Sequence, residues 1–243
     1  MDVIERLSPN HGERRAGAVD MLVIHYTGMA TAEEALQWLA DERSRVSAHY
    51  LVDEAGAVYA LVPEDRRAWH AGESMWAGEG DVNSRSVGIE VHNPGHDGAL
   101  PDYPDTQIEA VIALALEIVE RHGIAPARVL AHSDVAPARK RDPGERFPWA
   151  RLAKAGVGLW AEAGEPDERA VLAAGERGDA VAALQHDLAA LGYAIEMTRE
   201  FDAATEAVVA AFQRHWRPAL VDGRADGSTR DQLAQLLRMA AGE

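Results

Sequence analysis

The 243-residue chain contains no cysteine. Disulfides, thiolate metal sites and a cysteine nucleophile are excluded, and any bound metal has to be held by histidine and carboxylate. No run of about 18 apolar residues is present, so no segment reads as a membrane span. Basic residues are scarce: 24 Lys and Arg stand against 40 Asp and Glu, a net charge of −16. That balance argues against nucleic acid as a main partner and against electrostatic adhesion to an anionic bilayer, since both need a basic surface. The opening MDVIERLSPNHGERR has early acids, no apolar h-region and no small-residue cleavage site, so it does not read as a signal peptide.

What remains is an ordinary globular composition, 47% hydrophobic and 26% charged, at a length that suits one medium domain plus a small one. Residues 20–26 (DMLVIHY) form a short apolar run ending in a histidine and predict a buried strand. Thr31 and Glu34 make a capping-box pattern ahead of Leu36 and Leu39, so a helix is expected there. The segments 47–53 (SAHYLVD) and 58–62 (VYALV) flank a Gly-containing turn and read as two strands, with another at 86–92 (SVGIEVH). The clearest helix is 106–122, with Thr106 and Glu109 as a second capping box and Gly123 as its stop. Val129-Leu130-Ala131-His132 is a further apolar run ending in histidine. This part is mixed α/β.

Residues 161–170 (AEAGEPDERA) lack an apolar period and read as a linker, carried here to 174. The division is 1–160 for a catalytic domain, 161–174 for the linker and 175–243 for a small three-helix unit. In that unit Asp179 and Ser228 are the expected caps of the first and last helices, and 203–215 forms the middle one.

Two histidines at the ends of apolar runs, His25 and His132, are followed by Asp142 in a loop that turns at Pro143-Gly144. Two neutral imidazoles and one carboxylate meet the needs of a catalytic zinc, three protein ligands and an open position. Spacing alone is weak support, because such triplets arise by chance and there is no HExxH word. Taken singly, a strand-end histidine is more often structural.

The ordered words VIHYTG (23–28), SAHYLVD (47–53), AWHAG (68–72), NSRSVGIEVHN (83–93) and AHSDVAPARKRDPG (131–144) change that balance. From about 20 to 150 the chain resembles the N-acetylmuramoyl-L-alanine amidases of the amidase-2 family, which also takes in peptidoglycan-recognition proteins; within it the chain is most similar to the AmpD/AmiD-like enzymes. The resemblance implies a mixed central sheet flanked by helices, and a Zn2+ held by His25, His132 and Asp142. It implies Glu90 as catalytic acid/base and Lys140 as a catalytic cation. It implies hydrolysis of the amide between the lactyl group of N-acetylmuramic acid and L-alanine, in muropeptides or peptidoglycan. His92, two residues from Glu90, is expected on the same strand face. His49 and His70 read equally as core groups or as supports of the site; His11, His96, His122, His186 and His215 read as surface or structural.

Residues 176–243 carry G-x-x-V-x-x-L-Q-x-x-L-x-x-L-G-Y, then T-x-x-x-V-x-x-F-Q, then D-G-x-x-D-x-x-T. They resemble a small peptidoglycan-binding domain, and the two readings of it, glycan binding and bracing of the catalytic part, stand level. Against the enzyme stand a non-catalytic peptidoglycan-recognition module and a zinc peptidase that cuts within the stem peptide. The N-terminus favours a cytoplasmic enzyme of muropeptide recycling; the tail unit points to the periplasm or envelope.

Overall fold

The computed structural model describes residues 2–15, 17–167 and 170–242; residues 168 and 169 of the expected linker lie outside the described residues. Strands β1 (Val3–Glu5), β3 (Met21–Tyr26), β4 (Tyr50–Val52), β5 (Val58–Ala60), β7 (Ser86–Val91) and β8 (Val129–Ala131) form one sheet, and β2 (His11–Glu13) pairs with β6 (Arg66–Ala68). The order in the large sheet is β1-β5-β4-β7-β3-β8. Strands β4, β7, β3 and β8 are mutually parallel, while β5 runs antiparallel to β4. The helices are α1 (Ala32–Ala40), α2 (Val82–Arg85), α3 (Asp105–His122), α4 (His132–Val135), α5 (Trp149–Lys154), α6 (Asp179–Leu191), α7 (Ala203–Trp216) and α8 (Gly227–Ala241).

The apolar run of β3 is buried because both of its faces are covered, as expected of a central parallel strand. Leu22 and Ile24, with Val87, Ile89 and Val91 of β7, pack against Ile108, Val111, Ala115 and Ile118 of α3. Met21 and Val23 face the other way and join a core built largely from α6, α7 and α8. A third cluster places Ala35, Leu36 and Leu39 of α1 over Leu51 and Leu61.

The cap of α1 is as expected, with Thr31 accepting from the Glu34 amide at 3.1 Å. Three other caps differ. Helix α3 starts one residue early behind Pro104, and the Thr106 hydroxyl donates to the Glu54 carbonyl in the neighbouring turn at 3.4 Å. Asp179 is the first residue of α6, behind Gly178, and its carboxylate is taken by Arg199 at 2.5 Å. Asp226 caps α8 by accepting from Thr229 at 2.8 Å, while Ser228 donates to the Gly164 carbonyl. In each case a tertiary partner competes for the side chain that local patterning assigned to the cap.

The three C-terminal helices share a core with the sheet. Asp134, fully buried on α4, accepts from the Ala131 amide at 2.7 Å, the Tyr193 hydroxyl at 2.7 Å and His215 Nδ1 at 2.6 Å. His215 is stacked between Trp149 and Trp216, with centroids 3.8 and 3.7 Å away. Gly192, at φ +136°, lies flat on Trp76, and a Cβ there would fall 2.3 Å from the indole. The start of the segment read as a linker lies against α8, with the Ala161 and Gly164 carbonyls accepting from Gln232 and Ser228.

Truncating Asp134 leaves the Ala131 amide, the Tyr193 hydroxyl and His215 Nδ1 without this acceptor. Asp134→Ala is expected to lower unfolding free energy by about 3–5 kcal/mol. Asp134→Asn, which keeps an acceptor oxygen, costs less. Urea titration followed by tryptophan fluorescence measures both, and an Asp134→Ala loss below about 1 kcal/mol contradicts this assignment.

Candidate metal centre

Parallel strands in an α/β sheet place their carboxyl ends along one edge, where such sheets bind ligands. Here β7, β3 and β8 are adjacent, and His25 on β3 is paired in register with Glu90 on β7. His132 follows directly on β8, whose Ala131 is paired with Ile24. Asp142 returns to this edge from the loop after α4, which the Ser133 amide holds by donating to the Asp142 carbonyl at 3.0 Å. His25, His132 and Asp142 are thus brought together, all buried, as the sequence led one to expect.

Their facing atoms form a tight triangle. His25 Nδ1 lies 2.9 Å from His132 Nδ1 and 3.2 Å from Asp142 Oδ2, and His132 Nδ1 lies 2.9 Å from the same oxygen. Protons on the far side of each ring fix what these atoms are. The Ser86 hydroxyl donates to the Val82 carbonyl at 2.7 Å, so it accepts from His70 Nε2 at 3.1 Å. His70 Nδ1 is then bare and accepts from His25 Nε2 at 3.0 Å. On the other side His132 Nε2 donates to the Ala71 carbonyl at 3.1 Å. Both Nδ1 atoms therefore present lone pairs toward each other and toward a carboxylate oxygen. Three acceptors at this separation repel one another unless a cation lies between them. A tetrahedral zinc with bonds near 2.0–2.1 Å spaces its ligands about 3.3 Å apart, close to what is seen. The donor set fits a zinc-type cation and leaves no thiolate for softer metals.

Electrostatics agree. Burial pushes His25 down to about 4, and His132 adds to this, so the ring is neutral and free to ligate near neutral pH. Burial opposes ionisation of Asp142, but His132 and His25 outweigh it and hold the carboxyl well below its ordinary range. Glu90 is pushed well above its ordinary value by burial, with the Asp142 charge adding and Lys140 opposing. Its Oε2 is buried without a hydrogen-bond partner among the described residues. A carboxyl poised in this way at a cleft is suited to taking up and releasing a proton.

These groups line a cleft of about 230 Å3, walled on its other side by Met29, Trp38, Leu39, Val46 and Trp69. Lys140 lines it too. Trp38 and Val46 are exposed at its rim. His92 is not among the residues lining it. Strand β7 ends at Val91, and His92 instead places Nδ1 3.1 Å from the Thr27 hydroxyl and Nε2 3.9 Å from Glu54. His49 is structural: Nδ1 accepts from the Gly88 amide at 2.9 Å and Nε2 lies 3.1 Å from the Arg66 carbonyl. His70 supports His25, and it can do so because residue 88 is glycine: a Cβ there would sit 2.6 Å from the His70 ring. The GIEV word in β7 held that signal, but only strand pairing shows what the glycine makes room for.

The family model "N-acetylmuramoyl-L-alanine amidase" matches residues 15–145, and the model "Putative peptidoglycan binding domain" matches residues 177–233. The chain is 38% identical over 234 residues to N-acetylmuramoyl-L-alanine amidase AmiD of Escherichia coli (strain K12), covering 90% of this chain and 82% of that protein. A solved complex of Escherichia coli AmiD with the substrate anhydro-N-acetylmuramic acid-L-Ala-D-gamma-Glu-L-Lys superposes with a TM-score of 0.77 at 37% identity, over 93% of this chain and 91% of that one. Pseudomonas aeruginosa AMPDH3 with anhydromuramic pentapeptide superposes with a TM-score of 0.76 at 31% identity, over 96% and 94%.

The hydrogen-bond chain behind His25 predicts a metal-affinity effect separable from chemistry. His70→Ala is expected to weaken zinc binding about 10- to 100-fold, measured by competition with a chromogenic chelator. Gly88→Ala, which drives a methyl into the same ring, is expected to do likewise. Unchanged affinity in both contradicts the assigned proton directions.

Proposed function

The chain belongs to the N-acetylmuramoyl-L-alanine amidase family, and from that premise we propose that it is a zinc enzyme cleaving the amide between the lactyl group of N-acetylmuramic acid and L-alanine in anhydromuropeptides. The observation that carries this reading is the converging triangle of two bare imidazole nitrogens and a carboxylate beside half-buried Glu90, whose buried Oε2 has no hydrogen-bond partner among the described residues. Zinc held by His25, His132 and Asp142 would polarise the scissile carbonyl and acidify a water molecule.

The protein groups supply the rest. Glu90 takes the proton of the attacking water and passes it to the departing amine of L-alanine, a task suited to its raised proton affinity. Lys140, on the cleft wall, offsets the negative charge that gathers on oxygen as the carbonyl becomes tetrahedral. Trp38 and Trp69 give the cleft an aromatic side on which the face of a sugar ring can rest. In the substrate named for the AmiD complex the second residue of the peptide limb is a γ-linked glutamate, whose α-carboxylate stays free.

The role we propose is recycling or turnover of the cell wall, with the enzyme in the cytoplasm. Among the described residues no helix is long and apolar enough to cross a membrane, which bears on a spanning helix alone. Fractionation of the native gene product tests the compartment, and recovery from the periplasm overturns it. The matched tail domain supports an envelope setting instead.

The chemistry is tested on a defined anhydromuropeptide. The wild type is expected to release a peptide beginning with free L-alanine, identified by mass spectrometry. A chelator should abolish the activity and added zinc restore it. Glu90→Ala is expected to lower kcat by about 10²–10⁴ while keeping its zinc. Full activity in that variant, or cleavage within the peptide, would sink the mechanism.

A further inference from the structure

A second cavity, about 320 Å3, lies between the loop 137–141 and helix α7, and the reaction steps leave it unused. Its α7 wall is one stripe, Ala207, Ala210 and Arg214, spaced three and four residues apart. In a chain of net charge −16, Arg139, Lys140, Arg141 and Arg214 surround this space, and among the described residues no carboxylate lines it.

The four cations are not equivalent. Arg139 is occupied, donating to the carbonyls of Ala71 at 2.9 Å and Glu73 at 2.5 Å. Arg141 is exposed and reaches Asp97 only at 3.9 Å. Arg214 is half-buried and, among the described residues, has neither a hydrogen bond nor an ion pair. Burial lowers its proton affinity; Glu145 opposes this from a distance, and Arg141 adds repulsion. Glu145 is itself engaged by His96 Nε2 at 3.1 Å. A partly desolvated guanidinium without a partner is costly, because water has been removed from it and nothing replaces the lost hydrogen bonds. The planar fork it presents matches a carboxylate.

Position adds a second argument. Lys140 lines both this groove and the metal cleft, so the two spaces share a wall. A peptide limb that left the metal cleft along Lys140 would run toward this groove, and two residues of extended chain would carry its side group about 7 Å along that path. We propose that the groove between the loop 137–141 and α7 is a subsite for a carboxylate on the peptide limb of the substrate, received by Arg214 and Arg141; this rests on the amidase reading above. The free α-carboxylate of a γ-linked glutamate is the group that fits. The C-terminal helices then take part in choosing the substrate, through a residue the catalytic domain does not contain.

The test uses the full-length, zinc-loaded protein and two anhydromuropeptides that differ only at this position, one with the free carboxylate and one with the carboxamide. The wild type is expected to favour the acid in kcat/KM. Arg214→Gln should reduce that preference about tenfold, the effect of losing one charge-assisted hydrogen bond. Arg141→Gln should reduce it less, and Arg214→Lys should recover part of it. Arg177→Gln, on the exposed pair with Glu200, is the control and should leave the preference unchanged. Calorimetry with the product peptide should show weaker binding to Arg214→Gln without reference to turnover. An unaltered acid preference in Arg214→Gln, or an equal fall for both substrates, overturns the proposal. Should Arg214→Gln fail to fold by circular dichroism, exposed Arg141→Gln carries the same test. Failure of the wild type to cleave either substrate counts against the amidase reading instead, and the binding comparison still decides the groove.

Discussion

The pairing of β3 with β7 decides where chemistry can occur in this molecule. Their register sets His25 beside Glu90 at the same level of the sheet and on the same face. That face carries Ser86, Gly88 and Glu90 from β7, while Val87, Ile89 and Val91 point into the α3 core. A slip of one residue would exchange the two sets, burying a carboxylate among valines and removing the space that His70 occupies. Everything assembled at the sheet edge inherits its precision from this ladder.

Two supports then act on the histidines from behind. A directed run of protons from His25 through His70 and Ser86 ends on the Val82 carbonyl. A single bond from His132 ends on the Ala71 carbonyl. Both terminate on backbone, whose polarity cannot reverse, so the choice of tautomer is built into the fold. Asp134 plays a comparable part for the turn that carries His132: it gathers the Ala131 amide, Tyr193 and His215 on one buried carboxylate.

Much of this was legible in the residues. The apolar runs ending in His25 and His132 stand where the strands end, and the helical period of 106–122 recurs in α3. The family words picked out His25, His132 and Asp142, which the fold brings together, and Glu90 and Lys140, which line the same cleft. What escaped was whatever depends on a distant partner. Thr106, Asp179 and Ser228 have the chemistry of helix caps, but Glu54, Arg199 and Gly164 claim their side chains. Two-residue alternation placed His92 beside Glu90, whereas the strand stops at Val91 and the ring turns to Thr27. The apolar positions of α6, α7 and α8 announced a buried face without saying that Met21, Val23 and Trp76 would lie in the same core.

That shared core bears on how the chain can change over generations. Met21, Val23, Trp76 and Val135 are covered in part by the C-terminal helices. A deletion that removed those helices would expose an apolar patch and strand the Asp134 carboxylate, so a shortened descendant would first need polar replacements across the second face of β3. The two family matches divide the chain into separate modules, but the shared core ties the loss of one to changes in the other.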